Sequence, residues 1–437
     1  MGNIFGPPIT YLFPREIGTS LDHITRFTKD GFLGQTSESD QEILSKGFNV
    51  RMDVASDLNV TARPIGHLSV RDPVNPEWFD SNFDLVIAFL LPLLTALAGM
   101  WLFRFLFPTL MSEQMPLPER LAYCLGLGMM TVAALTLGVK LCGFHGHGLI
   151  LTLAAIGAIA EIWRDRKVFL TEVTDDYLKL IYCPIAAIFV VICLLVFLIL
   201  FRLAGLQGLT DPDAMLWMLK AKIIHLYSGN DLVQWFSNPR LAHAHLDYPA
   251  LVPSLHSATY DSIGHVDEFV TKFWHTWMLL FLIVALATMN RVGKNWQQVM
   301  SFAVLGILLL PVAQRCVQYE GGILPMVFST VLGFVQCALW LVGKDSARLG
   351  LGLTLLFGAA MTKFEGFIFL VLVGSWMLLL PSARPSLKLS PHFWRVLGFC
   401  FLAALPFVCL RLQIPVLNYE SGWAGYALHN PGSTLSN

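Results

Sequence analysis

Beyond about residue 83 the chain is a succession of apolar runs separated by polar connections, most of them short. A run of about 20 apolar residues is long enough to cross a hydrocarbon layer about 30 Å thick. It must do so as a helix, because no water is there to satisfy backbone N–H and C=O groups. The runs predict ten helices, over 84–107, 121–142, 147–163, 180–205, 269–289, 299–314, 323–343, 349–361, 367–381 and 396–413. The eighth and ninth fall short of a full span, which suits thinner helices around an external turn or partly re-entrant ones. Residues 1–83 are polar and mixed in charge, with no apolar run, and read as an extramembrane segment, partly disordered. The expectation is an all-α polytopic membrane protein in three parts. These are the polar segment 1–83, three extra N-terminal transmembrane helices in 84–179, and a core over 180–437 with an external loop at 206–268.

Composition agrees with the pattern. The 437 residues are 55% hydrophobic and 14% charged, with a mean hydropathy of +0.61. A water-soluble surface needs more charge than that. The net charge of −1, with no lysine-rich stripe, argues against nucleic acid as a partner. The eight cysteines are scattered, without a CxxC pair, so neither a zinc site nor a disulfide framework is read from them. The opening MGNIFGPPITYLFPREIG lacks the basic start and long apolar core of a signal peptide.

Lysines and arginines in short loops orient such a chain, since they concentrate on the cytoplasmic side. Arg164, Arg166 and Lys167 mark one such loop, as do Arg291 with Lys294, Lys344 with Arg348, and Arg384 with Lys388 and Arg395. Segments 206–268, 315–322, 362–366 and 414–437 then share the opposite face, and counting back puts residues 1–83 there too. Arg104, Lys140 and Glu161 sit near helix ends; Lys140 and Glu161 read as interfacial residues.

The loop 206–268 holds five of the twelve histidines, and ordered loops of that length are usually functional. Asp211 and Pro212 suit a helix start, as N-cap and first residue. From Ala214 to Tyr227 the apolar residues Met215, Leu216, Leu219, Ile223 and Leu226 recur at helical spacing, with Lys220 and Lys222 on the polar side. This predicts an amphipathic helix lying at the interface, its lysines snorkelling or facing a ligand. The later stretch AHAHLDYPALVP reads as extended chain and turns because of its prolines. His243, His245 and Asp247 share one side of an extended strand, a spacing that a divalent metal can use, though no strong metal signature accompanies it.

Four short patterns carry a family resemblance. Asp213-Ala214, Trp217 and Lys220-Ala221-Lys222 come first, followed by His245, Asp247, Tyr248, Pro249 and Pro253. Tyr319-Glu320 and Thr362-Lys363-Phe364-Glu365-Gly366 complete the set. Together, over about residues 180–415, they resemble the GT-C fold glycosyltransferases. That superclass includes protein O-mannosyltransferases and lipid A aminoarabinose transferases, and the likeness is to an uncharacterised bacterial branch. Where the family has Tyr-Ala-Asp this chain has Tyr319-Glu320-Gly321-Gly322, with the acid one residue earlier.

The resemblance implies transfer of a sugar from a polyprenyl-phosphate donor to an acceptor on the non-cytoplasmic face of a bacterial inner membrane. It makes Asp213 the first catalytic carboxylate and Glu320 the second. A carboxylate can take the proton of an attacking hydroxyl, and cations stabilise a departing phosphate. Lys220, Lys222, Arg315 and Lys363 are the candidate cations; His245, Asp247, Tyr248 and Glu365 are candidate substrate contacts. Each has a plainer alternative: Asp213 as part of a helix cap, Glu320 as a solvated turn, Lys363 with Glu365 as a simple ion pair. The rival functions are a multi-pass transporter or lipid flippase, and a non-catalytic scaffold.

Overall fold

The computed structural model describes residues 9–14, 32–34, 48–54, 60–64, 82–112, 115–146, 148–164, 198, 212–237, 248–266, 268–288, 321–343, 345–379 and 391–414. From residue 82 onward every described element is a helix. The N-terminal segment departs from the all-α expectation. It carries β1 (Ile9–Pro14), β2 (Phe32–Gly34), β3 (Phe48–Val54) and β4 (Val60–Pro64). They form an antiparallel sheet in the order β2-β1-β3-β4, with Tyr11 opposite Leu33 on one side and Met52 on the other. Its signal is one of period rather than length. In β3, Val50, Met52 and Val54 alternate with Asn49, Arg51 and Asp53, the two-residue repeat of a strand.

The helices are α1 (Asn82–Leu106), α2 (Pro108–Ser112), α3 (Leu117–Leu141) and α4 (149–164), then α5 (Pro212–Leu226), α6 (Gly229–Phe236), α7 (Leu251–Ile263) and α8 (Glu268–Thr271). They continue with α9 (Phe273–Thr288), α10 (Ile323–Gly343), α11 (Ser346–Ala360), α12 (Phe364–Leu379) and α13 (Pro391–Gln413). Eight of the ten predicted runs fall on these helices; 180–205 and 299–314 lie outside the described residues, apart from Leu198. Boundaries move where capping chemistry intervenes. α11 starts three residues early because the Asp345 carboxylate accepts the Ala347 N–H at 3.0 Å.

Among the described residues, four helices are long and apolar enough to cross a membrane: Val86–Leu106, Leu117–Leu141, Ile323–Gly343 and Phe393–Gln413. Phe273–Leu286, Ser346–Ala360 and Phe364–Trp376 are apolar but shorter. α13 exposes Trp394, Leu397, Phe401, Leu402, Leu405, Val408 and Leu412, and α12 exposes Phe367, Ile368, Val371, Leu372 and Trp376. An apolar face that broad is costly in water and suited to hydrocarbon.

α3 is the centre of the bundle, with α1, α7, α9, α11 and α13 all packed against it. It belongs to the part that the sequence divides off as extra helices. α1 runs so close to α3 that a Cβ on Gly99 would lie 2.1 Å from the Cys124 carbonyl oxygen, and one on Gly128 2.4 Å from that of Thr95. Small residues at such crossings let backbones touch, a common basis of helix association where no water drives it.

Charged groups sort to two ends. At one, Arg104 near the end of α1 meets Glu161 near the end of α4, at 2.6 Å. Arg348 donates to Gln336 at 3.3 Å, Gln336 donates to the Tyr123 hydroxyl, and that hydroxyl donates to Glu119 at 3.2 Å. Arg395 lies over the Phe105 ring at 5.5 Å at this same end. Of the basic residues that the sequence assigns to one face, Arg164, Arg348 and Arg395 lie toward this end; Arg166, Lys167, Arg291, Lys294, Lys344, Arg384 and Lys388 lie outside the described residues. Lys140 lies at the other end, with the elements of 206–268. Lys140 and Glu161, near the ends of their helices, are both buried in ion pairs.

The α1–α3 crossing makes a direct prediction. Gly99→Ala and Gly128→Ala should each lower stability by about 1–3 kcal/mol, the usual penalty of overpacking. Thermal unfolding in detergent reads this. Gly374→Ala, inside α12 where a Cβ meets nothing within 4 Å, should leave the midpoint unchanged or raise it, since alanine favours a helix interior over glycine.

Candidate functional site

α5 begins at Pro212, as the Asp-Pro step predicts, and carries Asp213 in its first turn, one turn before Trp217. It has no open polar face: every side chain from Trp217 to His225 is buried, Lys220 and Lys222 included. The pattern of apolar positions marked one buried face correctly, but α7 packs against the helix as well. α7 departs from the extended reading of 242–253 only over the last three of those residues, 251–253; Tyr248 to Ala250 are not helical. Pro253 falls in its first turn, where a missing N–H breaks no intrahelical bond.

A buried ammonium needs compensation, and Lys220 finds it on aromatic faces. Its Nζ lies 4.8 Å from the Trp217 ring centre and 5.4 Å from that of Tyr248, and the two rings are 6.2 Å apart. Desolvated cation–π contacts of this kind are worth about 2 kcal/mol. Gly322 closes the same cluster. A Cβ there would meet the Trp217 ring at 3.0 Å and the Lys363 stem at 3.3 Å. The Met361 carbonyl accepts the Leu251 N–H at 3.4 Å. Described members of three of the four sequence patterns thus meet: Trp217 and Lys220, Tyr248, and Lys363; Gly322 between them is two residues beyond Glu320, and Tyr319-Glu320 itself lies outside the described residues.

Lys363 also stands 3.8 Å from Glu365, which is half exposed. A solvated pair at that distance adds little stability. Tyr248 faces a second feature. An open cleft of about 270 Å³ is lined by Tyr248, Pro249, Ala250, Met361, Phe367, Phe407 and Arg411. It is almost wholly apolar, and it begins where the lysine–aromatic cluster ends.

Behind the cluster lie two imidazoles that the sequence did not single out. His256 of α7 and His275 of α9 are buried with ring centres 5.7 Å apart. His275 donates from Nε2 to the Gly321 carbonyl at 3.1 Å. Nδ1 of both rings and the hydroxyls of Ser254 and Ser257 have no hydrogen-bond partner among the described residues. Burial, reinforced by neighbouring His275, holds the His256 pKa well below its ordinary 6.5, so the ring is neutral.

A third polar group sits further along α5. Lys140 Nζ donates to Asp261 Oδ1 at 3.0 Å and to the His225 carbonyl at 2.7 Å, and His225 Nδ1 donates to the same Oδ1 at 2.7 Å. Nothing in the sequence paired these residues. Lys140 and Asp261 are 121 positions apart, and only the packing of α3 on α7 joins them.

Glu320, Arg315, His245 and Asp247 lie outside the described residues, as do Asp211, His243 and Tyr319, and so does the side chain of Asp213. Among the described residues no three His, Cys, Asp or Glu side chains gather to hold a metal. No family model, curated protein or solved structure matches the chain.

Two outcomes follow from this geometry. Gly322→Val should force Trp217 from Lys363 and destabilise the fold by about 1–3 kcal/mol, measured by chemical or thermal unfolding. For His256, the unfolded chain binds the proton that the fold refuses. Its contribution to stability is therefore whole above about pH 6.5 and is lost progressively as pH falls below that value. The unfolding midpoint should drop on acidification from about pH 7 to 5, and His256→Asn should flatten that slope.

Proposed function

We propose that this chain is a multi-pass membrane glycosyltransferase that moves a sugar from a polyprenyl-phosphate donor to a hydroxyl acceptor on the non-cytoplasmic face. The observation that carries the reading is the meeting of Trp217 with Lys220, Tyr248 and Lys363, from three of the separated patterns, at one lysine–aromatic cluster, beside an apolar cleft that shares Tyr248 with it. An amphiphile with an anionic head and a hydrocarbon tail has that layout. Aromatic faces like those of Trp217 and Tyr248 suit a sugar ring, and the apolar cleft at Tyr248 adjoins the cluster.

The chemistry is a single displacement at the anomeric carbon. The acceptor oxygen forms a bond to that carbon as the bond to the lipid phosphate oxygen breaks, and the phosphate leaves with the electron pair. In this reading Asp213 takes the acceptor's proton. Lys220 and Lys363, with Lys222 and Arg315 as further cations, offset the charge gathering on the phosphate. Glu320 is the second carboxylate, and His245, Asp247 and Glu365 contact the acceptor or the sugar.

The test is release of polyprenyl phosphate from a panel of polyprenyl-phosphate sugars by protein in lipid nanodiscs. Wild type should release it. Asp213→Asn should lose about 10²–10⁴-fold in rate without a change in unfolding temperature, the usual contribution of a positioned base. Full activity in that variant would sink the role of Asp213. Movement of labelled lipid across a vesicle wall without release would replace the enzyme by a flippase.

A further inference from the structure

The cluster of Lys140, Asp261 and His225 lies outside the chemistry just described, yet it is among the most completely buried polar groups in the fold. Lys140 is 0% exposed, Asp261 2% and His225 6%. One carboxylate oxygen, Oδ1, receives both the ammonium and the imidazole. The same ammonium also holds the His225 main-chain carbonyl, in the last turn of α5. Helix C-termini carry unsatisfied carbonyls and partial negative charge, so a cation there fastens the helix end as well as the side chain. Three helices, α3, α5 and α7, are tied at one point.

That point lies on the helix that carries the candidate site. His225 is five residues beyond Lys220, or about 7–8 Å along the axis of α5. The height of Lys220 and Trp217 against Tyr248 and Gly322 depends on where α5 sits along α3 and α7. Apolar side chains such as Leu219, Ile223 and Ile224 hold the helix laterally, but dispersion contacts tolerate a small slide. Directional bonds of 2.7–3.0 Å from two helices do not.

We propose that Lys140, Asp261 and His225 are positioning residues that fix the axial register of α5, and through it the lysine–aromatic cluster. The proposal rests on the lipid-phosphate reading only for its effect on ligand. Its effect on α5 stands apart from that reading.

The test separates position from stability. Replacing both members of the buried pair by apolar groups, Lys140→Met with Asp261→Leu, is often neutral for folding. Hydrogen exchange over 212–226 and affinity for a polyprenyl phosphate are measured in nanodiscs on the full chain. The expected result is an unfolding temperature near that of wild type, with exchange in α5 about tenfold faster and affinity about tenfold weaker. Unchanged exchange in this folded double variant would overturn the proposal. Should the double variant fail to fold, His225→Asn removes the imidazole link alone and should still speed exchange in α5; no change there overturns it equally. Faster exchange in a protein that binds no polyprenyl phosphate upholds the positioning role and removes the lipid-phosphate reading instead.

Discussion

The ammonium of Lys140 has no contact with water, and the arrangement of the bundle follows from what that requires. A buried charge without a partner is not tolerated, and breaking a buried pair costs about 3–5 kcal/mol. Lys140 is held on the central helix, so its partners must come to it. Asp261 arrives on α7 and the His225 carbonyl on α5. By apolar contact alone α7 could pack on α3, and α5 on α7, at several heights; the charged group selects one arrangement. The described part of 206–268 is thereby tied to α3.

The candidate site repeats the theme with a different compensation. Lys220 is as buried as Lys140 and lies against the faces of Trp217 and Tyr248. The neighbouring Gly322 allows Trp217 and Lys363 to approach from opposite sides, and the apolar cleft at Tyr248 continues the site toward the exposed faces of α12 and α13.

The bundle also divides its charges by end. Arg104, Glu161, Arg348 and Arg395 gather at one, and the Lys140 cluster, Lys220 and Lys363 at the other. Between the ends the polar side chains are mostly hydroxyls bonded to their own helix, such as Thr136 to Val132 at 2.8 Å and Thr354 to Gly350 at 2.7 Å. Such back-bonds satisfy a hydroxyl without any tertiary partner. The apolar middle and the polar ends are what a helical bundle in hydrocarbon requires.

Local information determined much of this. Length and apolarity alone located eight helices, since a long apolar run has one low-energy backbone conformation. The Asp-Pro step set the start of α5. The alternation in β3 was equally local but too short to stand out among polar residues. Tertiary structure decided the rest. Trp217 to His225 has the same apolar spacing whether one face or all faces are covered, so only the packing of α7 showed that Lys220 and Lys222 are buried. Lys140 and Asp261 carry no mutual signal across 121 residues, and neither do His256 and His275 across their loop. Side-chain pairs between distant helices depend on where the backbones cross, and the crossing is set by packing that no single segment contains.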